Sequence, residues 1–88
     1  MHVTLELDDE ANALYLKLEE GDVERTEPFE ASREVMIDLD RSGSVLGIEI
    51  LDPGGLDLVH TMKQICDQYN LPDLSRFVTE PPGKALQV

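Results

Sequence analysis

The chain has 88 residues, the size of one domain, and carries 19 Asp and Glu against 7 Lys and Arg, a formal charge of −12. The few cations are scattered, which argues against direct tracking of a phosphate backbone, and an anionic membrane surface is excluded on the same ground. The single cysteine, Cys66, permits no internal disulfide and no multi-cysteine metal site, and no apolar run is long enough to span a bilayer.

The first ten residues, MHVTLELDDE, lack a basic region followed by an apolar stretch, so a cytoplasmic location is the expectation. Residues 2–7 alternate, with Val3, Leu5 and Leu7 on one side and His2, Thr4 and Glu6 on the other. After the polar break Asp8-Asp9-Glu10, residues 13–18 alternate again, with Leu14, Leu16 and Leu18 opposite Tyr15 and Lys17. Period-2 spacing predicts two strands. Pairing Leu7 with Leu14, Leu5 with Leu16 and Val3 with Leu18 places all six apolar side chains on one face, and a slip of one residue would expose a whole set.

Glu20-Gly21-Asp22 has turn chemistry. Residues 23–27 predict a third strand that Pro28 ends or confines to an edge, followed by a loop over 29–33. Residues 34–40 and 44–51 predict a second hairpin about Ser42-Gly43, pairing Leu39 with Leu46 and Ile37 with Ile48. Gly47 then lies on the opposite face beside Asp38 and Glu49, where a strand glycine signals a bulge or a close approach by another group. Asp52-Pro53-Gly54-Gly55 punctuates. Leu58, Val59, Met62, Ile65, Cys66 and Tyr69 recur at three and four, which predicts a helix over about 56–69. A short helical turn is expected within 73–78. A Pro/Gly tail follows from 79, and residues 85–88 are apolar enough to dock as an added strand.

The expected fold is α+β: a twisted antiparallel sheet of four to five strands, two clear hairpins among them, with one main C-terminal helix packed on one face. Residues 1–78 are expected to form a single small domain, and a core this modest favours a homodimer.

Asp38, Asp40, Ser42, Gly43 and Glu49 match the spacing of a calcium-binding EF-hand loop. That loop requires helices on both sides, whereas the flanking residues alternate as strands, so the favoured reading is an acidic hairpin turn and no cofactor or metal is expected. Cys66 and His60 lie six residues apart on the helix, about 120° around it, and do not meet. Cys66 reads as an inert buried thiol, and no catalytic residue is assigned. If the hairpins share one sheet, its polar face carries Tyr15, Lys17, Asp38 and Glu49, together with Thr4, Glu6 and Gly47. These first four are the candidate binding residues.

Asp9-Glu10-Ala11-Asn12-Ala13-Leu14-Tyr15-Leu16-Lys17-Leu18 resembles the opening signature of a family of small, mostly bacterial domains, domain of unknown function family 2283. Asp38-Leu39-Asp40, then Gly43, then Val45-Leu46-Gly47-Ile48-Glu49-Ile50-Leu51 is similar to its second signature. The chain departs from the family at Asn12, where an acid is usual, and at Asp9, where proline is usual. The resemblance implies a small β-rich cytoplasmic domain without an assigned activity. Such domains can occur beside small toxin-like proteins, which implies an antitoxin-like role. With the charge balance, the leading expectation is a protein-interaction module for a small basic protein. The alternatives are a small-ligand binder or enzyme using the polar face and, behind these, calcium binding at 38–49.

Overall fold

A computed structural model of the chain describes residues 2–55 and 57–79. The chain divides after Gly55 into two compact units. The first is a five-stranded antiparallel sheet: β1 (Thr4–Asp8), β2 (Ala13–Lys17), β3 (Arg25–Phe29), β4 (Ser32–Leu39) and β5 (Val45–Leu51). Its spatial order is β1-β2-β5-β4-β3, an open sheet whose two hairpins meet through β2 and β5. The second unit holds α1 (Leu58–Gln68) and the single turn α2 (Arg76–Thr79). The protein is therefore α+β, with the helices following the strands.

The register of the first hairpin is the expected one, with Leu5 opposite Leu16 and Leu7 opposite Leu14. Carried across the sheet, it builds rows that are apolar from β1 to β4. Leu5, Leu16, Ile48, Ile37 and Glu27 form one row across all five strands, and Leu7, Leu14, Ile50 and Val35 form its neighbour. Leu16, Ile48, Ile37, Ile50 and Val35 are fully buried. Burial stops at the edge, however: Leu7 is 64% exposed, so the sixfold apolar set shares a face without all of it entering the core.

Three expectations change in detail. The third strand runs to Phe29, and Pro28 sits inside it; β3 is an edge strand, where a missing N–H costs no ladder bond. Phe29 is buried rather than looped, and a bulge between Pro28 and Phe29 tightens the return into β4. In the second hairpin Ile37 faces Ile48 as expected, but Leu39 faces Val45. A bulge places Leu46 as the extra residue, and its carbonyl accepts from the backbone N–H groups of both Leu18 (2.8 Å) and Glu19 (3.3 Å).

The turn between β4 and β5 is organised by Asp40. Its Oδ1 accepts from Ser42 N (2.9 Å), Ser42 Oγ (2.7 Å) and Ser44 N (2.9 Å), and Gly43 takes φ +90°. These hydrogen bonds, the Ser42 hydroxyl foremost, hold the Asp40 carboxyl below the usual range. The oxygen that the calcium pattern would assign to a cation is occupied by the turn itself, and strands flank it on both sides.

Helix α1 is capped by Asp57, whose side chain accepts from His60 N (3.1 Å), so it begins at Leu58, later than the spacing suggested; Leu56 lies outside the described residues. Met62, Ile65 and Cys66 of the predicted stripe are buried, with Thr61 beside them. The helix ends in a Schellman turn: Asn70 is left-handed at φ 56°, and Leu71 N donates to Cys66 O (2.8 Å). Residues 80–88, including the proposed docking segment, lie outside the described residues.

Candidate functional site

The solvent side of the sheet carries two rows in register. Thr4, Lys17, Gly47, Asp38 and Thr26 form one; Glu6, Tyr15, Glu49, Met36 and Pro28 form the other. All four candidate residues therefore share one face, as the alternation required.

Tyr15 is the organising side chain. It leans diagonally from its own row across Gly47 and donates from its hydroxyl to Asp38 Oδ2 (2.8 Å). A Cβ built at residue 47 would collide with the Tyr15 hydroxyl and ring, so the missing side chain of Gly47 is what opens the path. Asp38 is fixed from the other side by Thr26 Oγ1, which donates to Oδ1 (2.6 Å). Thr26 escaped the sequence reading because β3 alternates weakly; its place opposite Asp38 is visible only from the register.

Burial first, then the hydrogen bond to Asp38 and the charges of Asp38, Glu6 and Glu49, push the Tyr15 phenol well above its ordinary value. At neutral pH it is a donor, unsuited to act as a base. Because the folded value lies above the unfolded one, the stabilisation is present at pH below the ordinary phenol value and is lost as pH rises through the folded one. In a Tyr69→Phe background, ultraviolet titration is expected to find Tyr15 ionising above a free tyrosine. Asp38→Asn should lower that value partway, since burial persists. An ordinary phenol titration in the parent would contradict the geometry.

Lys17 is turned aside. Its Nζ pairs with Glu20 Oε1 at 2.7 Å, which raises its pKa. Glu6 and Glu49 flank Tyr15 in its own row, and neither forms an ion pair with another described residue. Beside them opens a groove of about 790 Å3, lined by Glu6, Asp8, Asp9, Glu10, Tyr15 and Glu49 among others. Tyr15 and Glu49 thus reach a common concavity, while Asp38 and Lys17 do not line it. Among the described residues no group of three or more His, Cys, Asp or Glu is arranged to hold a metal.

Residues 9–18 and 38–51 shape this face. Asn12, left-handed at φ 50°, closes the β1–β2 turn, and its amide donates to Asp52 Oδ1 (3.1 Å) while Asp52 N donates to Asn12 O (2.8 Å). Strands β4 and β5 supply Asp38, Gly47 and Glu49. The family model of DUF2283, a protein of unknown function, matches residues 5–52, more than half of the chain. The chain belongs to this family. Apart from Thr4, the match covers β1 to β5, so the DUF2283 segment holds nearly the whole sheet and the candidate residues Tyr15, Lys17, Asp38 and Glu49. No curated protein and no solved structure matches the chain. No described helix is long and apolar enough to cross a membrane. Cys66 is buried, and burial pushes its thiol up, which is the state of an unreactive cysteine.

Proposed function

We propose that this DUF2283 chain is a protein-interaction module that receives a basic partner on the polar face of its sheet, the role an antitoxin-like protein plays toward a cationic toxin. The observation that carries the reading is the row Glu6–Tyr15–Glu49: an aromatic ring fixed by Asp38 and flanked by two carboxylates that form no salt bridge with another described residue. A guanidinium or ammonium set against that ring gains both cation–π and charge-assisted contacts. The charge of −12 draws such a partner in and weakens with salt.

Calorimetric titration with an arginine-rich peptide tests this. Glu6→Gln/Glu49→Gln is expected to weaken binding about tenfold, whereas Glu19→Gln/Glu24→Gln, which removes the same charge elsewhere, should change it less than ~2-fold. Equal losses in the two pairs would mean that only net charge acts. The groove beside Tyr15 favours a second reading, a small cationic ligand; free arginine binding as tightly as the peptide would support it over a protein partner.

A further inference from the structure

The two edges of the sheet are not alike. The β3 edge carries Pro28, which lacks an N–H, and a bulge, two features that discourage strand addition. The β1 edge has neither: its five residues, Thr4–Asp8, are regular, contain no proline or lysine, and pair with β2 without a register shift. Leu7 is 64% exposed there, and Val3 and Leu5 are half-buried. An edge of this kind is a template for another strand.

We infer that β1 is a homodimer seam, in which two copies add edge to edge, antiparallel and centred on Leu5. The sequence of the edge selects both the occupant and the register. With Leu5 opposite Leu5 of the second copy, Val3 faces Leu7, Thr4 faces Glu6 and His2 faces Asp8, each pair occurring twice about the two-fold axis. Apolar residues meet apolar ones on one face, and the acid of each polar pair meets a neutral or cationic group on the other. Centring on Glu6 would set two glutamates against each other; centring on Thr4 would set Leu7 opposite residue 1, outside the described residues. A slip to either odd register would set Leu5 against Thr4 or Glu6 and mix the faces. The self-complementary pattern fits a second copy of this chain, and the seam joins two sheets into one of ten strands with both polar faces on the same side.

The full-length, untagged chain tests the seam by sedimentation equilibrium. A concentration-dependent monomer–dimer equilibrium is expected, and Leu7→Lys, at a position already exposed in the single copy, should raise the dissociation constant by about tenfold or more while circular dichroism stays unchanged. Register is read by oxidation in a Cys66→Ala background. Leu5→Cys should cross-link to itself, because directly opposed strand residues lie within disulfide reach. Leu7→Cys should not cross-link to itself, yet should do so when mixed with Val3→Cys. A monomer at all concentrations would overturn the inference. So would a dimer indifferent to Leu7→Lys, a Leu5→Cys protein that stays reduced, or open-ended growth from β1–β3 head-to-tail pairing.

Discussion

Gly47→Ala should destabilise the protein by about 1–3 kcal/mol, although the same change in an ordinary strand is favourable. The new Cβ would occupy the space of the Tyr15 hydroxyl and ring. The strands cannot part to make room, because β5 is bonded on one side to β2 and on the other to β4 at this row. Tyr15 must therefore swing away, and both the bond to Asp38 and the burial of its ring are lost. For a domain of this size the midpoint should fall by several degrees, at roughly 4–8 °C per kcal/mol. The decisive comparison is a double-mutant cycle with Tyr15→Thr. Once the ring is gone, Gly47→Ala should become neutral or stabilising, so the two changes couple by more than ~1 kcal/mol. Additive losses would show that Gly47 serves the backbone rather than Tyr15.

Ile48→Ala should produce the largest stability loss, about 3–5 kcal/mol. Ile48 sits at the middle strand of the apolar row, between Ile37 and Leu16, and all three are fully buried. Neighbours on both sides are held by their own ladders, so little collapse into the void is available. Against the ~5–15 kcal/mol of a typical small domain, that leaves a marginal fold. Leu7→Ala, made on the same face of the same sheet, should cost less than ~0.5 kcal/mol in dilute protein, where the β1 edge is free. Denaturant titration of both variants checks the contrast. Equal losses would mean that burial does not stop at β1.

The rows that carry both results were legible in the sequence to an unequal degree. Alternation over residues 2–7 and 13–18 fixes the faces, because a strand side chain has only two directions to choose from. That logic places Tyr15, Lys17, Asp38 and Glu49 on one face from the pattern alone. It failed where local chemistry interrupts the period. Val45, Leu46, Gly47 and Ile48 give no alternating signal, so the bulge at Leu46, and with it the partner of Leu39, is set by the Leu18 and Glu19 amides that its carbonyl receives. Pro28 leaves two readings open, a strand end or an edge strand, and only the sheet order decides for the edge. The face of a residue was readable, but its exposure was not: Leu7 and Leu16 look equivalent in sequence and differ because β1 has a neighbour on one side only. Thr26 and the Asn12–Asp52 pair depend on register across long stretches of chain, which no short window contains. The calcium spacing shows why residue types alone do not make a site. Its residue types are all present, yet Asp40 is spent on its own turn and Asp38 on Tyr15 and Thr26.

The claim that the Glu6–Tyr15–Glu49 row receives a cationic group is tested most directly by following amide shifts of the labelled protein during the arginine-rich peptide titration. The account predicts saturable shifts concentrated at Glu6, Tyr15 and Glu49 and along the groove at Asp8 to Glu10, abolished in Glu6→Gln/Glu49→Gln. Shifts spread evenly over the acidic surface, or centred on acidic residues away from this face, would contradict it.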